Sequence, residues 1–314
     1  MNLDYIFYKL KDMDDQTRNR SVKFNMIKES DNSSDILLYN VEVESSVQES
    51  LFNVVYEFLN HKKRREKEQK EYDAIMQHNH FKGYYCIEND KYNSVKKFDE
   101  LLKNDKLEST SGYDINDFFA YCIEICICNT ETFYYVGQIT ALSKLSKTKL
   151  IGNITDKKLK RINNDELFGI NNNMGFVSFN SEFLINQISI FEKCTQMNSE
   201  FVKSAKDFVK VLSEMDVIEN IDEMKLQFET DSIIARRLSK LSEYPDRVKN
   251  FFDNKEEINK VLESDEFKDK FKGIKYVNGK LLYDNEYRHQ FITLISDSAY
   301  ESIVGKEKRI DETL

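Results

Sequence analysis

The feature that most constrains this chain is the run Phe118-Phe119-Ala120-Tyr121-Cys122-Ile123-Glu124-Ile125-Cys126-Ile127-Cys128. Both parities are apolar apart from Glu124. A strand shows successive side chains to opposite faces, so this run predicts a strand covered on both sides, as in a layered α/β arrangement. A turn at Asn129-Thr130 and a second β-rich run, Phe133-Tyr134-Tyr135-Val136-Gly137, continue the sheet.

Around this centre the chain reads as α+β. Tyr5–Tyr8, Val22–Met26 and Ile36–Tyr39 have strand-like composition. Ser46, with Glu49 three residues on, has the form of a capping box, and Val47, Leu51, Val54, Val55, Phe58 and Leu59 then make a helical apolar stripe. Beyond it, His61-Lys62-Lys63-Arg64-Arg65-Glu66-Lys67-Glu68-Gln69-Lys70-Glu71 has no apolar face and reads as a solvated helix extension. Gly175–Phe179 and Ile188–Phe191 read as strands. Later, Phe201, Ala205, Phe208, Val209 and Leu212 form one helical stripe, and Ile234, Leu238 and Leu241 another. Asn278-Gly279 marks a tight hairpin, and Asp284 is placed to cap a closing helix. The domains expected are a mixed α/β domain over 1–140, a basic connector over 141–173, and a mostly helical C-terminal domain with short strands over 174–314.

Chemistry is harder to find. No phosphate-binding glycine loop, dinucleotide fingerprint or nucleophile elbow occurs, and the chain has only nine glycines. No catalytic residue, metal ligand or cofactor is assigned. Cys122, Cys126 and Cys128 share one strand parity but lack the second pair of a zinc site, so they read as buried thiols. His78-Asn79-His80 reads as a loop. The five cysteines, an odd number, and an N-terminus without a basic-then-apolar leader point to a reduced, cytoplasmic setting.

Charge is segregated. The net is −9, yet residues 141–161 carry +6, between a segment of −7 before and one of −8 after. Local sign governs the docking of a polyanion more than total charge does. Two basic groups therefore become candidates for nucleic-acid binding: Lys157, Lys158, Lys160 and Arg161 at the end of the connector, and Arg236, Arg237 and Lys240 on a helix whose other face is apolar. Such cations bind phosphates without reading sequence.

The order Gly175-Phe176-Val177-Ser178-Phe179-Asn180, Ile188-Ser189-Ile190-Phe191-Glu192, then helices carrying Ile234-Ala235-Arg236-Arg237-Leu238, then the Asn278-Gly279 hairpin and a closing helix resembles the KwaB-like family of the bacterial Kiwa anti-phage system. The resemblance covers roughly 165–310 and implies a cytoplasmic, DNA-binding effector subunit. That subunit would act with a small multi-pass membrane protein of the same system, recruited to the inner membrane face, and would suppress phage DNA replication or transcription. It supplies no catalytic residues. Double-stranded DNA, the membrane protein and a second copy of the chain, as a homodimer, are the partners expected. A metal-dependent nuclease with an unfamiliar carboxylate site, and a structural adaptor that docks a membrane protein, remain as alternatives.

Overall fold

The computed structural model describes residues 1–14, 21–30, 35–74, 81–104, 108–109, 115–127, 131–139, 152–155, 158–161, 170, 173–297, 299–301 and 308–310. The fold is α+β, as the sequence indicates. The chain forms two compact units, Met1–Tyr72 with His80–Gln196, and Asp73–Asn79 with Met197–Leu314.

The first unit begins with helix α1 (Leu3–Asp14), strands β1 (Ser21–Glu29) and β2 (Ile36–Val41), helix α2 (Ser45–Asn60) and the short helix α3 (Lys62–Arg65). Next come β3 (Gln69–Glu71), β4 (Tyr84–Glu88), α4 (Asn93–Leu102), β5 (Glu108–Ser109), β6 (Ala120–Ile127) and β7 (Glu131–Gln138). The unit closes with β8 (Gly152–Thr155), β9 (Lys158–Arg161), β10 (Met174–Phe179), β11 (Glu182–Ile185) and α5 (Ile188–Cys194).

Nine strands form one sheet in the order β3-β4-β11-β10-β7-β6-β1-β2-β5. Its inner pairs are antiparallel; only the edge pairs β3–β4 and β2–β5 are parallel. Both edges are very short, and β3 is polar and exposed, which blunts pairing with another chain. Ala120–Ile127 of the doubly apolar run is β6, inside the sheet between β7 and β1.

The two faces of the sheet bury against different helices. On one face Tyr121, Ile123, Ile125 and Ile127 join Phe24, Phe133 and Tyr135 against Leu3, Ile6, Phe7 and Leu10 of α1 and Phe52, Val55 and Leu59 of α2. On the other, Phe176 of β10 meets Phe98 of α4, Phe183 of β11 and Phe191 of α5. Cys122 is fully buried, Cys126 is half-buried, and Cys128 lies outside the described residues. Glu124, the polar exception in β6, pairs with Lys23 of β1 at 3.0 Å, its register partner.

Gly137 has a steric reason. It lies opposite Tyr121 in the register, and a Cβ there would sit 2.3 Å from the Tyr121 Cζ and Oη. The Tyr121 ring is 1% exposed and stacked on Phe24, so it has little room to retreat. Gly137→Ala is expected to destabilise the protein by about 1–3 kcal/mol through overpacking; urea unfolding measures it, and an unchanged midpoint would refute the account.

Four expectations change here. Tyr5–Tyr8 belong to helix α1 and Ile188–Phe191 to helix α5, where the sequence reading had strands. The capping box at Ser46 does not form: α2 starts at Ser45 with Glu44 as N-cap and no side-chain cap bond. Residues 174–185 complete the sheet of the first unit through β10 and β11, so the compact units divide after Gln196 rather than before residue 174.

The second unit is mostly helical: α6 (Met197–Met215), β12 (Ile218–Glu219), α7 (Ile221–Thr230), α8 (Ser232–Ser242), α9 (Pro245–Asp253) and α10 (Lys255–Glu263). After these come β13 (Tyr276–Val277), β14 (Lys280–Leu282), α11 (Arg288–Ile295), β15 (Ala299–Glu301) and β16 (Lys308–Ile310). The stripe Phe201, Ala205, Phe208, Val209 and Leu212 of α6 is buried, as are Ile234, Ala235, Leu238 and Leu241 of α8, and these two helices pack together. Asn278 and Gly279 turn β13 into β14 with φ of 54° and 80°, the left-handed pair such a turn requires. No helix among the described residues is long and apolar enough to cross a membrane.

Candidate nucleic-acid interface

Helix α8 is started by Asp231, whose Oδ1 accepts from the amides of Ile233 and Ile234 at 3.0 and 3.2 Å. Its other oxygen meets Arg288 Nε, at the start of α11, at 3.3 Å. Burial alone would push this carboxyl up, but the two amides and Arg288 together outweigh it and hold it below the usual carboxylate range. The helix thus begins on an anchored anion, and its basic residues follow.

Arg236, Arg237 and Lys240 are all half-buried. Arg236 and Lys240 are one turn apart, on neighbouring positions of the helix surface. The Arg236 guanidinium lies over the Phe201 ring of α6, 5.1 Å from its centroid, which fixes its stem. Lys240 has no ion pair or hydrogen bond among the described residues; burial lowers its pKa first, and the charges of Arg236 and Arg237 lower it further. Arg237, about 100° around the helix from Arg236, turns to the protein. It donates to the His289 carbonyl at 3.3 Å and to Thr293 Oγ1 at 2.7 Å, both on α11, and burial lowers its guanidinium pKa. The same surroundings hold His289 below its usual value, by burial and then by Arg288 and Arg237.

The other basic group lies in the first unit. Lys158, Lys160 and Arg161 fall on β9, which pairs antiparallel with β8 in the register Thr155↔Lys158, Asn153↔Lys160 and Gly152↔Arg161. The connector, read from sequence as irregular, therefore contains a hairpin. Lys157 lies outside the described residues, as does His78-Asn79-His80. Among the described residues no three His, Cys, Asp or Glu side chains gather where they could hold a metal ion. Sequence reasoning missed the α11 partners Arg288 and His289, because nothing local signals that α11 lies along α8.

A sheet with helices on both faces, followed by a helical unit with three half-buried cations on one helix, defines an α+β protein. A family model described as Kiwa protein KwaB-like matches residues 115–305. That is more than half of the 314 residues, and the chain belongs to this family, which makes it a component of Kiwa anti-phage defence. The match spans parts of both units, from β6 to beyond α11. No curated protein and no solved structure matches the chain.

Proposed function

We propose that this protein is the DNA-binding effector subunit of a Kiwa-type defence system, gripping double-stranded DNA without sequence preference and thereby suppressing phage DNA replication or transcription. The observation that carries this reading is the crowding on α8. Lys240 sits beside Arg236 and Arg237 with no ion-pair partner among the described residues, and burial and then their charges lower its pKa. Like charges one turn apart destabilise a helix, and a polyanion relieves that strain while releasing its own counterions. Lys157, Lys158, Lys160 and Arg161 supply the second basic group, in a segment of +6. A small multi-pass membrane protein of the same system, which brings this subunit to the inner membrane face, and a homodimeric state complete the proposal.

The test is a mobility-shift series on two unrelated duplexes at increasing salt, with and without Mg²⁺. The expected result is equal affinity for both duplexes, no cleavage, and a log–log salt slope of about −0.9 for each phosphate neutralised. Cleavage that requires Mg²⁺ would replace this reading with the nuclease one. Absence of salt-sensitive binding would leave the adaptor. Light scattering on the same sample checks the dimer, which a monomer mass at micromolar concentration removes.

A further inference from the structure

The charged run after α2 does not stay in solvent. Arg65 lies over the Phe7 ring, 4.1 Å from its centroid, and meets Asp4 at 2.5 Å. Arg64 has no carboxylate partner among the described residues. Its guanidinium carbon sits 5.0 Å from the Phe58 ring centroid, and its Nη1 is buried without a hydrogen-bond partner. Phe58 meets Tyr135 edge-on at 5.8 Å. The Tyr135 and Tyr84 side chains are fully buried, and their hydroxyls also lack partners among the described residues. Lys67 Nζ stands 4.6 Å over the Tyr84 ring, with one long contact of 3.5 Å to Asn186 Oδ1.

Nearly all buried polar atoms find a partner, and those that do not point to a water or an ion. Here the orphans are a guanidinium N–H and two phenol O–H groups, beside a second cation. Arg and Lys can only donate, so what the cluster lacks is an acceptor, and its charge calls for a negative one. Burial pushes the Tyr84 hydroxyl up to about 12, with Arg64 pulling the other way, so it stays a donor at neutral pH. Burial and then Arg64 lower Lys67, the direction expected where cations meet without a counter-charge. Arg64 and Lys67 remain partly exposed, which leaves an approach from solvent.

We propose that Arg64, Lys67, Tyr84 and Tyr135 form an oxyanion-binding site in the first unit, suited to inorganic phosphate or to a phosphate monoester. Its residues belong to the first unit and the cations of α8 to the second, so different variants test the two proposals.

The experiment is thermal unfolding of the full chain in phosphate, and separately in adenosine 5′-monophosphate, each against chloride at equal ionic strength. The expected result is saturable stabilisation by at least one of the two, since a ligand that binds only the folded state raises its stability with concentration. Phosphate alone identifies the free ion; stabilisation by the nucleotide identifies an esterified group. The double variant Tyr84→Phe/Tyr135→Phe removes two unpartnered hydroxyls and should fold. It should weaken the apparent affinity by about tenfold or more, the scale of one charge-assisted hydrogen bond. Arg64→Met, which keeps an apolar stem over Phe58, should do the same. If neither ligand stabilises the wild type beyond chloride, or if the stabilisation persists unchanged in the variants, the site does not exist.

Discussion

Phe176→Ala is expected to destabilise the first unit by about 3–5 kcal/mol, the range for truncating a buried aromatic. Phe176 is wholly buried in β10. Its ring touches Phe98 at 5.9 Å, Phe191 at 5.4 Å and Phe183 at 6.1 Å, so one side chain joins α4, α5 and the neighbouring strand. The register slips between Met174 and Phe176 where β10 pairs β7. The residue at that irregularity is Gly175, where a Cβ would lie 3.0 Å from the Val136 carbonyl. The ring is thus aimed by a backbone feature that cannot shift to fill a void. Phe176→Leu, close in volume, should cost less than about 1.5 kcal/mol. Urea unfolding followed by circular dichroism compares the two, and equal losses would show that the aromatic cluster is not a packing centre.

The parts of this fold legible from sequence are those in which local pattern and tertiary burial agree. The β6 run is apolar on both parities because helices cover both faces of the sheet, and its short length, its isoleucines and the turn after it mark it as a strand where periodicity alone would not. The Asn278-Gly279 turn and the α6 stripe are equally local. Tyr5-Ile6-Phe7-Tyr8 misleads because its composition favours strands. What decides the matter is that Leu3, Ile6, Phe7 and Leu10 recur at helical spacing and bury together; Tyr5 and Tyr8 stay 42% and 57% exposed, which a helix allows. Ile188–Phe191 misleads in the same way, and Ile190, Phe191 and Cys194 make the helical face that is buried.

The basic residues show the limit more sharply. The run at 61–71 reads as a solvated helix because it has no apolar face, yet Gln69–Glu71 join the sheet as β3, Arg64 and Arg65 rest on Phe58 and Phe7, and Arg65 reaches Asp4, 61 residues away. Guanidinium groups stack on aromatic faces, and a hydrophobic-period argument has no way to register that. On α8 the sequence located the cations but treated Arg236, Arg237 and Lys240 as equivalent. Their different roles depend on α11, which arrives about 50 residues later.

That difference carries the second large effect. Arg236→Gln with Lys240→Gln removes two partly exposed cations and leaves the Arg237 bonds to α11 in place. DNA affinity is expected to fall about tenfold or more at physiological salt, with the salt slope shallower by about one unit per lost contact. Stability should fall by about 1 kcal/mol or less, since Arg236 gives up its place over the Phe201 ring while the crowding on Lys240 is relieved. Arg237→Ala should do the reverse. It breaks the bonds to the His289 carbonyl and Thr293 Oγ1, at a cost of about 1.5–3 kcal/mol. Arg237→Lys should restore little, because one ammonium cannot reproduce the fork that reaches two acceptors on adjacent turns of α11. Thermal unfolding and mobility shifts on the same preparations separate the two behaviours. Unchanged DNA affinity in the double glutamine variant would take α8 out of the interface. Loss of DNA affinity in a fully folded Arg237→Ala protein would instead place Arg237 among the phosphate contacts, with its bonds to α11 secondary.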